Sequence, residues 1–206
     1  MVSLRISGLT HEFDEREVFS AIDFEFDGGC LAVIGANGSG KSTLLRIIAG
    51  LLVPTEGEAR VLVDGQPVCG GALRDAIGLA APDVHLYSEL TPRENLRFLV
   101  DARALPGREA LVDEALREVG LDHRADDPVG ELSSGLRRRA CLAAAIIHRP
   151  PLLLLDEPGA NLDDEGAAIV RGIVDRYQRA GMVVVATNDR AEADLGQECL
   201  SLGVVS

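Results

Sequence analysis

The sequence predicts an α/β domain, and three features point to it. The first is a glycine loop, Gly35-Ala36-Asn37-Gly38-Ser39-Gly40-Lys41-Ser42-Thr43, set between the apolar run Cys30–Ile34 and the apolar-periodic stretch Leu44–Ala49. That is strand, loop, helix in the pattern G-x-x-x-x-G-K-[ST]. The second is Leu152-Leu153-Leu154-Leu155, a wholly apolar run of the kind buried on both faces of a parallel sheet. The third is the alternation of such runs with helical patterns along the chain.

In chain order, Val2–Leu9 and Glu17–Phe26 read as strands, and Asp27-Gly28-Gly29 turns into the strand at Cys30. The helix after Lys41 is expected to end near Gly50. Pro54–Gly57 reads as a turn, Glu58–Val63 as a strand and Asp64-Gly65 as a hairpin-like turn. Residues 70–92 mix glycine, proline and short apolar runs, so loop is expected there, with a short strand at Ala76–Ala80. Thr91-Pro92-Arg93-Glu94 supplies an N-cap, proline at N1 and glutamate at N3, which opens a helix. Asn95–Leu105 and Arg108–Val119 carry helical spacing, broken at Pro106-Gly107. A further helix runs from Leu132-Ser133-Ser134-Gly135 to His148, stopped by Pro150-Pro151. After Leu155 a helix is expected over 164–179, a buried strand at Met182–Ala186, a short helix at Arg190–Leu195 and a last strand near Cys199–Leu202.

The chemistry of the loop follows from its residue types. Glycines let backbone N–H groups turn inward around phosphate oxygens, and a helix N-terminus adds partial positive charge at the same place. Lys41 can reach terminal phosphates and the Ser42 hydroxyl can ligate Mg²⁺. Lys41 is the sole lysine of the chain; every other long basic side chain is arginine. A compact ammonium has been kept where a planar guanidinium would not substitute simply. Leu152–Leu155 ends in Asp156-Glu157, so a carboxylate at the strand end can hold Mg²⁺ through water, and its neighbour can polarise an attacking water.

Composition sets limits. The formal net charge is −13, which argues against nucleic acid as the main partner. Few aromatics and almost no lysine fit either a high-salt cytoplasm or an ordinary acidic surface. No apolar run approaches the ~18 residues of a membrane span, and Met1–Arg5 is expected not to be a signal peptide. Cys30, Cys69, Cys141 and Cys199 form no Cys-x-x-Cys pair and are expected to be buried reduced thiols of a cytosolic protein.

With these residues in view the chain resembles the ATP-binding subunit of an ABC transporter over essentially its whole length. Gly35–Thr43 matches the Walker A motif and Leu152–Glu157 matches Walker B. Leu132-Ser133-Ser134-Gly135-Leu136 is similar to the family signature, and Gly159-Ala160-Asn161-Leu162-Asp163 to the D-loop. Phe13 sits where the family places an adenine-stacking aromatic.

The resemblance implies a single domain over residues 1–206. Its phosphate-loop ABC ATPase fold has a RecA-like parallel-sheet core and an N-terminal antiparallel β subdomain (about 1–80 and 150–206), with a helical subdomain inserted at about 90–148. It implies that nucleotide is bound by Phe13 and by Gly35, Ala36, Asn37, Gly38, Ser39, Gly40, Lys41, Ser42 and Thr43. It implies catalysis by Glu157 and Asn188, and Mg²⁺ held by Ser42 and, through water, Asp156. Ser133, Ser134 and Gly135 would face ATP bound by a second subunit, with Asn161 and Asp163 in the D-loop. The partners implied are ATP, a homodimeric copy or a second ATPase subunit, and an integral-membrane permease that holds the chain at the inner face of the cell membrane. A cytoplasmic helix of that permease would dock between the helical insertion and residues 82–90.

The chain also departs from the pattern. The usual glutamine before the helical insertion is missing from Ala81-Pro82-Asp83-Val84-His85, which leaves Asp83 or His85 as a candidate to take part at the metal. The usual switch histidine is Asn188, which can donate a hydrogen bond but cannot carry a proton. These losses fit an ATP-gated switch or a slower ATPase, and retention of Lys41, Asp156, Glu157 and Ser133 favours the second. Leu90–Phe98 is similar to a motif shared by haem-exporter subunits of cytochrome c maturation and by ABC-2-type exporters. The competing reading is a non-transport member acting as an ATP-dependent clamp or assembly factor.

Overall fold

The computed structural model describes residues 1–14 and 16–203. Two sheets carry the fold. The first is antiparallel, in the order β2 (Arg16–Asp27), β1 (Val2–Phe13), β4 (Glu56–Val63), β5 (Gln66–Val68). The second is parallel, in the order β6 (Ile77–Ala80), β7 (Leu152–Asp156), β8 (Met182–Thr187), β3 (Gly29–Ile34), β9 (Glu198–Ser201). The helices are α1 (Lys41–Ile48), α2 (Gly70–Ala76), α3 (Pro92–Ala102), α4 (Arg108–Glu118), α5 (Ser134–Ile146), α6 (Asp164–Ala180) and α7 (Arg190–Ala193).

The parallel sheet divides the interior in two, because successive side chains of a strand point to opposite faces. Leu153, Leu155, Val183 and Val185 face one core, filled by α3, α4, α5 and α6. Leu152, Leu154, Val184, Leu31 and Val33 face the other, where α1 lies between the parallel sheet and the antiparallel one. Strands β7 and β8 are buried throughout, as their apolar runs predict.

The α/β class and the strand–helix alternation hold. Three local expectations change. Strand β1 runs to Phe13 rather than Leu9, because pairing with β2 continues to Phe13↔Arg16. Residues 70–76 form a helix rather than a loop: Leu73 and Ala76 share one face and pack inward, which outweighs the weak propensity of Gly70-Gly71. Helix α5 ends at Ile146 rather than His148; its start is as expected, at Ser134, with Ser133 as the N-cap accepting from the Leu136 N–H at 3.3 Å. The capping box at Thr91 and Glu94 forms as expected.

One partly buried histidine makes stability depend on pH. His148 Nε2 lies 3.0 Å from the Ile77 carbonyl, which can only accept, so Nε2 carries the proton and donates. Burial, reinforced by the nearby Arg103 charge, pushes the imidazole down to about 4. The unfolded chain takes up this proton near pH 6.5, while the folded chain resists until about pH 4. This contribution to stability is therefore present above pH 6.5 and lost as pH falls to about 4, by up to about 3 kcal/mol. Urea unfolding of wild type and His148→Gln should diverge over that window, with wild type falling faster. Parallel pH profiles would show that His148 is not the source.

Candidate functional site

The site is built on adjacent strand ends at the C-terminal edge of the parallel sheet, where open α/β sheets place ligands. Strand β8 pairs with β3 on one side and β7 on the other. The glycine loop follows β3, Asp156 and Glu157 end β7, and Asn188 follows β8. Three separate stretches of sequence therefore converge because of strand order.

Gly40, the N-cap of α1, has φ +92°, in the left-handed region. A Cβ there would also lie 2.5 Å from Val18 and 2.8 Å from Phe19, so the loop needs glycine both for its turn and for its fit against β2. The Lys41 side chain is only 6% exposed. Its ammonium donates to the carbonyls of Gly35 (2.8 Å) and Ala36 (3.1 Å) and stands 3.7 Å from Glu157 Oε1. A cavity of about 520 Å³ opens beside it, lined by Phe13, Gly38, Lys41, Ser42, Thr43 and Glu157. Phe13 is half exposed at its rim, and its ring meets that of His11 edge to face at 4.5 Å.

Asp156 is 2% exposed, and its Oδ1 has no hydrogen-bond partner among the described residues. An acceptor-only oxygen left alone in the interior costs free energy unless a donor or cation satisfies it. Ser39 Oγ, in the loop, is buried in the same unpartnered state. Burial pushes the Glu157 carboxyl up from its ordinary range; Lys41 pulls it down, and Asp156 and Glu192 push it up. A raised carboxylate binds protons more readily, which suits a general base near neutral pH.

Asn188 Nδ2 donates to Asn37 Oδ1 at 2.7 Å, which ties the residue after β8 to the glycine loop. Asn161 has φ +63° in the turn after β7, and Asp163 caps α6 by accepting from the Gly166 N–H at 2.8 Å. Ser133 and Ser134 lie exposed at the tip of α5. The expectation that Asp83 takes part at the metal does not fit its placement: its carboxylate is 2.7 Å from Arg46 in an ion pair. His85 instead lines a second cleft of about 480 Å³ with Ser134, Arg138, Glu157, Asn161 and Asn188.

Two residues at the site escape a reading of the sequence. The Arg138 guanidinium on α5 donates to the carbonyls of Asp156 and Glu157. Glu192 on α7 accepts from the Gly159 N–H at 2.5 Å. Neither has a local signal, since their partners are 18 to 33 residues away.

A lysine-bearing loop between strand and helix, with an acidic pair at the end of the strand two places away in the parallel sheet, defines a phosphate-loop ATPase. Residues 20–160 match the family model described as ABC transporter. The cytochrome c biogenesis ATP-binding export protein CcmA of Cupriavidus necator is 41% identical over 189 residues, covering 90% of this chain and 82% of that protein. The lipoprotein-releasing system ATP-binding protein LolD of Nitratidesulfovibrio vulgaris is 37% identical over 205 residues, covering 93% and 88%. Among solved structures, cbiO1 from Clostridium perfringens, part of the ABC transporter complex cbiONQ, superposes with a TM-score of 0.79 at 28% identity, over 98% of this chain and 86% of that one. A bacterial Atm1-family ABC exporter with ATP bound shares the fold, with a TM-score of 0.84 at 24% identity over 100% of this chain and 38% of that one. The chain belongs to the ABC transporter family, as an ATP-binding subunit with ATPase activity. Among the described residues no helix is long and apolar enough to cross a membrane.

Proposed function

We propose that this chain hydrolyses Mg-ATP between two copies of itself and thereby drives export through a separate membrane permease. The observation that carries the two-copy reading is the position of the signature. Ser133, Ser134 and Gly135 do not line the cavity that holds Lys41; Ser134 lines the neighbouring cleft with Glu157 and Asn188, and Ser133 and Ser134 are exposed at the helix tip. Such a tip is suited to phosphate, and a second copy would bring one to it.

In this reading Phe13 stacks on the base, and the loop N–H groups and Lys41 hold the phosphates. Ser42 and, through water, Asp156, whose Oδ1 is unpartnered, would hold Mg²⁺, which would neutralise charge on the phosphate oxygens. Glu157 orients and deprotonates the attacking water. Asn188, already linked to the loop through Asn37, supplies a hydrogen-bond donor where others of the family have histidine. Loss of proton-carrying capacity there slows turnover without removing the donor.

The permease would dock on the exposed Tyr87 and Phe98 rings, which meet edge to face at 5.7 Å. Asn95 fixes that surface, since its side chain both accepts from and donates to the Tyr87 backbone at 2.9 and 3.0 Å. Cytochrome c biogenesis, with haem as cargo, is the substrate reading favoured by relatives such as the one from Cupriavidus necator. The test is to tag the chain in its native host, extract membranes and assay ATPase activity. Copurification with a multi-span protein that stimulates hydrolysis is expected; a complex confined to the soluble fraction would overturn the transport reading.

A further inference from the structure

We infer that Arg138 is a positioning residue that holds Glu157 in its working orientation and couples the two nucleotide sites. This rests on the two-copy reading above. Glu157 has φ +50°, a left-handed conformation that a non-glycine residue keeps only when its surroundings hold it there. Its N–H donates to the Ala186 carbonyl at 2.8 Å, and its own carbonyl accepts from the Ala160 N–H at 3.1 Å. Arg138 adds the bonds that come from outside the core: one guanidinium nitrogen donates to the carbonyls of both Asp156 and Glu157. Burial lowers the affinity of that guanidinium for its proton, while the charges of Asp156, Glu192 and Glu157 act to keep it.

Arg138 stands four residues after Ser134 on α5, one helical turn in from the signature tip. A shift of that tip against a partner's phosphate would therefore be carried by a rigid turn of helix to the backbone of the chain's own Glu157. Glu192, four residues after Asn188, holds the Gly159 N–H. The stretch from Asp156 to Gly159 is thus held by side chains of both the signature helix and the segment that follows β8. Arg138 acts on Glu157 through the backbone, since its donors meet the carbonyls of Asp156 and Glu157.

The test uses the full chain with ATP. Arg138→Met keeps the apolar stem and removes every donor. It is expected to lower kcat about 10- to 100-fold, to leave KM and the affinity for a fluorescent ATP analogue within about threefold of wild type, and to bring the Hill coefficient for ATP towards 1. Arg138→Lys is expected to recover part of kcat, because its ammonium keeps the donors but its side chain is one atom shorter and falls short of the two carbonyls. Arg171→Gln, exposed on α6 and away from the site, should behave as wild type. A cooperative wild type matched by Arg138→Met in kcat and Hill coefficient would overturn the role of Arg138, as would a rise in KM at unchanged kcat. Should Arg138→Met not fold, Arg138→Lys at full wild-type kcat and cooperativity would overturn it. A wild type that hydrolyses ATP without cooperativity and never dimerises fails the two-copy reading instead.

Discussion

Glu157→Gln is expected to bind ATP as wild type does, to lose hydrolysis by about 10²–10⁴-fold, and to accumulate as a dimer of twice the 21.8 kDa chain mass. The amide keeps the shape and most of the hydrogen bonding of the carboxylate but cannot take a proton from water. In the wild type, burial lifts the Glu157 carboxyl above its ordinary range, while the Lys41 ammonium 3.7 Å away keeps it from rising further. The substitution removes the proton acceptor and leaves the phosphate loop intact, so the ATP-bound state persists instead of turning over. Phosphate release and size-exclusion chromatography with ATP and Mg²⁺ measure both effects. Wild-type turnover in Glu157→Gln would remove Glu157 as the base, and a variant that stays monomeric at saturating ATP would count against the two-copy site.

Lys41→Ala should act one step earlier. Charge-assisted hydrogen bonds to phosphate are among the stronger single interactions, about 1.5–3 kcal/mol each. Losing an ammonium that serves more than one phosphate should raise the dissociation constant for ATP about 100-fold or more and abolish hydrolysis. The fold should survive, because the ammonium holds two loop carbonyls and faces the Glu157 carboxylate rather than bracing the apolar core. Lys41→Arg is not expected to rescue binding: the pocket is fitted to a point charge, and a planar fork needs more room. Titration with a fluorescent nucleotide reads the effect directly, and near-normal affinity in either variant would contradict it.

What can be read in advance divides by range of interaction. The glycine loop is legible because its requirements are local: positive φ at glycines, a helix starting at Lys41, an apolar strand before it. Strand β7 and its two carboxylates are legible for the same reason, a short apolar run ending in acid. Helix α2 is not, because its glycines favour loop and only the inward packing of Leu73 and Ala76 decides otherwise. Asp83 suggests itself for the metal because it stands next to the place of a missing glutamine. Its pairing with Arg46, 37 residues away, is a tertiary fact that no spacing encodes. Arg138 and Glu192 are hidden likewise: each looks like an ordinary charged helix residue until the strand end it grips is brought alongside.

The sole lysine, sunk at the floor of the phosphate cradle, has a chemical corollary. Apart from the chain's own α-amino group, the outer surface offers guanidinium and imidazole as its basic groups, and no primary amine. Acylating or aldehyde reagents selective for amines therefore have a single side-chain target among these 206 residues, and it is the one that triphosphate would cover. Covalent capture of that nitrogen becomes a direct gauge of how much of the cradle is filled.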